Sequence, residues 1–208
     1  MERCVIVGGA KIGDYSALCG QLRKGDFYIF CDSGLYHQAM LGVRPNLIVG
    51  DFDSHENPHA DVETIVLPCE KDDTDTVFAV KEALRRGFDE FLLIGVVRGR
   101  LDHTLCNVSI LLMLDSAGKR ARILDDYSEM EIVSREAIQV EDSVLYFSLL
   151  NISGTARDVT IRNAKYPLEG AKITSEYQYG VSNEVIPGRT AEVSVGEGRA
   201  LLVKIRRE

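Results

Sequence analysis

The sequence predicts two domains in tandem, an α/β half followed by an all-β half. Up to about Asp125, short runs rich in Val, Ile, Leu and Phe alternate with longer helical patterns. Beyond Tyr127, apolar and polar residues alternate along short segments separated by turn signals. A third observation concerns chemistry. Clusters of acids and bases, Asp51-Phe52-Asp53-Ser54, Lys71-Asp72-Asp73-Thr74-Asp75 and Arg98-Gly99-Arg100-Leu101-Asp102-His103, each follow a short apolar run.

In the first half the strand candidates are Cys4 to Val7, Phe27 to Cys31, Leu47 to Val49, Thr64 to Leu67, Phe91 to Ile94 and Arg122 to Leu124. Continuous apolar runs of this length suit strands covered on both faces, which points to a mostly parallel, Rossmann-like sheet. Val77, Val80 and Leu84 recur at helical spacing in a segment that stops at Gly87, and Leu105 to Leu114 reads as a second, strongly apolar helix ending near Gly118.

In the second half the alternating segments are Ser143 to Ser148, Arg157 to Arg162, Ala191 to Val195 and Leu201 to Ile205. Asn151, Ser153-Gly154, Pro187-Gly188 and Glu197-Gly198 punctuate them, with no convincing helix between. An antiparallel β-sandwich or small barrel follows, and the expected boundaries are residues 1–126 and 127–208.

Composition bounds the function. A chain of 208 residues is long enough to bury a full core, and a net charge of -8 argues against nucleic acid or an anionic membrane as the main partner. No apolar run approaches the roughly 20 residues of a membrane span, and Met1-Glu2-Arg3-Cys4 lacks the order of a signal peptide, so the cytoplasm is expected. The five cysteines form no Cys-x-x-Cys pair and read as free, mostly buried thiols.

In parallel sheets with helices on both faces, ligands sit beyond the carboxyl ends of the strands, where the polar clusters fall. Magnesium-bound polyphosphate needs such clusters: the metal takes hard oxygen ligands and the phosphate oxygens take cations. Each residue also has a plainer explanation. Asp51 and Asp53 suit an Asx turn as well as a shared divalent ion, Asp73 or Asp75 suits a helix cap, and so does Asp102. Capping uses one acid, however, and Lys71 to Asp75 holds three. Arg100 suits two-pronged phosphate binding with Asp102 orienting it.

Two patterns are set aside. His55-Glu56-Asn57-Pro58-His59 matches a zinc-protease pattern, but Pro58 breaks the helix those ligands require. Gly8 and Gly13 have Walker A spacing, yet Asp14-Tyr15 stands where Lys and Ser or Thr belong. His37, His55 and His59 are expected at the surface.

At these residues the chain resembles the thiamine pyrophosphokinase family. The likeness runs through Asp32-Ser33-Gly34, Gly42 to Ser54, Lys71 to Asp75, Gly99 to His103, Lys165-Tyr166-Pro167-Leu168 and Gly180-Val181-Ser182-Asn183-Glu184. It implies transfer of the intact diphosphate of ATP to the hydroxyl of thiamine, giving thiamine diphosphate and AMP, in a homodimer with active sites between subunits. By the same resemblance Asp51, Asp53 and Asp75 hold magnesium. Asp32, Ser33, Ser54, Lys71, Asp72, Thr74, Arg100 and His103 line ATP, with Asp102 supporting Arg100. Tyr166, Ser182 and Asn183 face thiamine. No residue is assigned as proton acceptor; if one serves, Asp75 and Asp102 are the candidates. Rival readings are another hydroxyalkyl heterocycle as acceptor, such as a pterin, or a non-catalytic nucleotide-binding module. The early motif departs from the family's usual Asp-Gly-Gly, and Val96-Val97-Arg98 replaces part of a glycine-rich approach. Both departures bulk up loops that would approach the nucleotide.

Overall fold

A computed structural model describes residues 3–52, 61–70 and 72–206. The chain divides into two compact units, the first ending at Asp126 and the second beginning at Tyr127.

The first unit is α/β. Its strands are β1 (Arg3–Val7), β2 (Phe27–Cys31), β3 (Leu47–Gly50), β4 (Glu63–Val66), β5 (Glu90–Ile94) and β6 (Arg120–Leu124). They pair in the order β4-β3-β2-β1-β5-β6, every pair parallel. Val5 lies in register with Tyr28 on one side and Leu92 on the other. Cys4 to Val7 and Leu92 to Ile94 are wholly buried, as expected for central strands covered on both faces. The order reverses between β1 and β5, so the chain leaves these two strands in diverging directions and opens a crevice at their carboxyl ends.

Among the described residues, four helices join the strands: α1 (Ser16–Cys19), α2 (Gln38–Leu41), α3 (Asp75–Arg85) and α4 (Leu101–Ser116), with a 3-10 turn over Asp32–His37. The α3 helix packs on β1, β2 and β3 through Ala79, Val80 and Ala83. The α4 helix begins four residues before the expected Leu105, which brings Asp102 and His103 into its first turn. No described helix is long and apolar enough to cross a membrane.

The second unit is antiparallel throughout. Strand β7 (Ser128–Val133) pairs with β13 (Ala200–Ile205), which pairs with β9 (Tyr146–Leu150). The other sheet runs β11 (Leu168–Thr174), β10 (Thr155–Arg162), β12 (Thr190–Glu197), β8 (Ile138–Glu141). Val133, Phe147, Leu149 and Leu202 from the first of these sheets close on Val140, Val159, Ile161 and Val193 from the second, forming one core between them. That is the sandwich alternative rather than the barrel. Ser143 to Leu145, expected to be strand, precede β9 instead, and β7, β8 and β11 were not expected.

Candidate active site

Backbone contact builds the crevice floor. The Gly8 N–H donates to Ile94 O at 2.9 Å and the Ala10 N–H to Gly95 O at 2.8 Å, extending the β1 and β5 pairing into their loops. Side chains do not fit here: a Cβ on Gly8 would stand 2.6 Å from Gly95 O, and one on Gly34 would collide with Val7 O. The Ser33 side chain occupies the space a Cβ on Gly9 would need, so the serine that departs from Asp-Gly-Gly is accommodated by a neighbouring glycine. Of the two glycines with Walker A spacing, Gly8 serves this packing and Gly13 lies against the Asp126 carboxylate.

His37 is buried, not at the surface, because the 3-10 turn carries it under Gly95. Its Nδ1 lies 2.7 Å from the Tyr15 hydroxyl, and burial lowers its pKa.

The acids gather beyond β2 and β3. Asp32 follows β2, Asp51 follows β3, and both are half-buried. A Cβ on Gly50 would stand 3.0 Å from that of Asp32, so the two strand ends meet without side chains between them. The α3 helix packs on β2 and β3, and Asp75 at its start is near enough to Cys31, the last residue of β2, to help raise that thiol's pKa after burial. Asp32 and Phe52 both have positive φ, 36° and 54°, conformations that bulky residues adopt only where surroundings enforce them.

The helix cap is neither Asp73 nor Asp75. Thr74 is the N-cap of α3, its hydroxyl accepting from the Val77 N–H at 3.3 Å. Asp73 pairs with Lys81 at 2.6 Å, Asp72 is exposed, and Asp75 opens the helix, where its charge meets the positive end of the helix dipole. Asp53, Ser54 and Lys71 lie outside the described residues, as do His55, Pro58 and His59.

Arg100 occupies the N-cap position of α4 and makes no side-chain cap, so Asp102 is not the cap either. The Arg100 guanidinium grips Asp102 with both prongs, Nη2 to Oδ2 at 2.5 Å and Nε to Oδ1 at 3.2 Å. Both side chains are exposed, and the guanidinium holds the Asp102 carboxyl down to about 2. His103 is exposed beside them.

In the second unit, Tyr166 does not fill the core: it is 58% exposed. Asn183, 3% exposed, holds it in place. Asn183 Oδ1 accepts from the Tyr166 N–H at 3.0 Å, and Asn183 Nδ2 donates to Tyr166 O at 2.8 Å. Asn183 is itself tied to β9 by paired backbone bonds with Phe147. Ser182, at φ 55°, donates its N–H to Ser148 Oγ at 3.0 Å. Lys165 Nζ lies 5.6 Å from the centre of the Tyr166 ring and 2.7 Å from Glu184, so this ring already has a cation close by.

Residues 20–123 match the family model for the catalytic domain of thiamin pyrophosphokinase, and residues 135–199 match the model for its vitamin B1 binding domain. The chain belongs to the thiamin pyrophosphokinase family. Its function is the family's, ATP:thiamine diphosphotransfer. It is 27% identical to the thiamine pyrophosphokinase of Bacillus subtilis, over 98% of this chain and 99% of that one. The crystal structure of thiamine pyrophosphokinase from Bacillus subtilis superposes with a TM-score of 0.87 at 23% identity, covering all of both chains. That from Geobacillus thermodenitrificans gives 0.84 at 26% identity, covering 99% and 98%.

Two residues of this thiamin pyrophosphokinase family member carried no motif and were missed in the sequence. Asp126, beyond the end of β6, is buried and binds Arg98 and the loop after β1. His37, expected at the surface, is buried. The one sequence hint of Asp126 was Arg98 itself, a bulky cation beside Gly99 in an otherwise tight turn. Of the cysteines, Cys4 and Cys31 are buried while Cys19 and Cys69 are exposed, which corrects the expectation of mostly buried thiols.

Proposed function

We propose that the chain carries out magnesium-dependent diphosphate transfer from ATP to thiamine with the nucleotide at the carboxyl ends of β2, β3 and β5. The supporting observation is the gathering of Asp32, Asp51 and the first turn of α3 at one edge of the sheet. Among the described residues, no group of three His, Cys, Asp or Glu side chains is placed to hold an ion alone. Magnesium suits such a site, since it usually takes one or two carboxylates and completes its shell with water and phosphate oxygens. Asp51 and Asp75, with Asp53, are the proposed ligands. The ion would neutralise charge on the phosphates.

Arg100, oriented by Asp102, binds phosphate oxygens, and Asp32, Ser33, Ser54, Lys71, Asp72, Thr74 and His103 line the nucleotide. The thiamine hydroxyl oxygen attacks the β-phosphorus and loses its proton to solvent, the bond from that phosphorus to the oxygen it shares with the α-phosphorus breaks, and AMP leaves carrying that oxygen. Such transfers need mainly positioning and charge neutralisation. Asp102, held at about 2 by Arg100, is a weak proton acceptor, so its part is to orient the guanidinium.

In the second unit the exposed Tyr166 ring offers its face to the thiazolium cation of thiamine, beside the Lys165 ammonium that Glu184 already neutralises. Ser182 and Asn183 lie at the same turn, Asn183 chiefly fixing Tyr166. A homodimer and a cytoplasmic location complete the proposal, and sedimentation of the purified chain tests the first.

Asp75→Asn tests the metal site. Turnover is expected to fall on the order of 10²–10³-fold with an unchanged circular dichroism spectrum, as when one preorganised charge-stabilising group is removed. Retained turnover removes Asp75 from the ligand set.

A further inference from the structure

We infer that Asp126 is a positioning residue for the nucleotide, acting through Arg98 and Thr104 on Arg100. The inference rests on the assignment of Arg100 to the phosphates.

Asp126 is 3% exposed, yet it is a carboxylate two residues beyond β6 with no motif around it. Its Oδ1 takes the Arg98 guanidinium at 2.9 Å. Its Oδ2 accepts from two successive backbone N–H groups, Gly13 at 2.9 Å and Asp14 at 3.1 Å. A buried carboxylate is costly unless its oxygens are satisfied, and here a charged donor and two amides converge on it. A Cβ on Gly13 would stand 2.8 Å from Oδ2, so the loop after β1 approaches the acid as closely as glycine permits.

Arg98 shows that the contact constrains the backbone. Its φ is 94°, a region that non-glycine residues leave unless held, and Gly99 follows at 74°. From there the path runs to Arg100. The Arg98 N–H donates to Thr104 Oγ1 at 3.2 Å, and the Thr104 hydroxyl donates to Arg100 O at 3.3 Å. Asp126 thus joins the loop after β1 to the loop after β5, the two that flank the crevice, and the second carries Arg100. The bulk that Arg98 adds to this loop is turned toward Asp126 instead of lying unrestrained over the crevice. Neither Asp126 nor Gly13 falls within the residues that match the family models.

The test uses Arg98→Gly, which suits the positive φ and removes the guanidinium, with Arg98→Lys and Asp126→Asn beside it. ATP affinity is measured calorimetrically with magnesium and no thiamine, and KM for each substrate is taken from AMP release. Arg98→Gly is expected to weaken ATP binding and raise its KM on the order of tenfold, the effect typical of losing an outer support. KM for thiamine stays within about twofold, and Arg98→Lys restores part of the loss. A folded Arg98→Gly with unchanged ATP affinity, or one that raises both KM values alike, overturns the inference. Because the calorimetry omits thiamine, it decides the point even if the wild-type chain releases no AMP, the result that would fail the proposed reaction. A wild-type chain that binds no ATP overturns both.

Discussion

Gly8 and Gly95 meet backbone to backbone at the floor of the crevice, with room for a side chain on neither. Gly95 also has φ 64°, and a Cβ on it would stand 3.4 Å from His37 Cδ2. Gly95→Ala combines a steric collision with an unfavourable dihedral, so it should cost more than about 1 kcal/mol. Urea unfolding monitored by fluorescence or circular dichroism checks this, with a lower midpoint and an unchanged m-value as the expected result.

Asn183 is buried and serves both backbone groups of Tyr166. Asn183→Ala leaves those groups to find other partners and should cost roughly 1–3 kcal/mol of stability. In activity it should raise KM for thiamine and leave KM for ATP alone. An effect on ATP alone would contradict the placement of thiamine at Tyr166.

Thiol chemistry separates the cysteines. Burial pushes the Cys4 thiol up to about 12 and raises that of Cys31 as well, so neither forms a thiolate near neutrality. Iodoacetamide at pH 8 should label the exposed Cys19 and Cys69 in the native protein, and Cys4 and Cys31 only after unfolding. Peptide mapping by mass spectrometry reads the difference.

Acid should loosen α3 at its far end. Arg85 hydrogen bonds first, and Arg86 after them, hold the Glu82 carboxyl down to about 2 from an ordinary 4.5, and Arg86 continues to Glu63 on β4. A depressed carboxyl stabilises the fold above its unfolded value and loses that contribution as pH falls through its folded one. The stability gap between wild type and Glu82→Gln is therefore expected in full above about pH 4.5 and to close toward pH 2. A gap independent of pH would show that the charge is not what matters.

How much of this was legible in the sequence depends on whether the cause was local. The central strands announce themselves because burial on both faces leaves uninterrupted runs such as Cys4 to Val7. Thr74 and the acids around it fall at a helix start that apolar spacing locates. In contrast, β7 reads Ser128-Glu129-Met130-Glu131, and its buried Glu129 and half-buried Glu131 make sense only once Lys204 of β13 bridges them at 3.1 and 2.5 Å, across a register the sequence does not display. β11 is obscured by Gly170 and by having one buried residue, Ile173, so that it shows no alternation. Asp126 and His37 were invisible for the same reason, since their roles come from loops far away in the chain.

The central claim is tested most directly by incubating the purified chain with ATP, magnesium and thiamine and resolving the nucleotide and thiamine products by chromatography. The account predicts AMP and thiamine diphosphate in equal amounts, both abolished by chelating the metal. ADP with thiamine monophosphate, or AMP release that does not depend on thiamine, would contradict it.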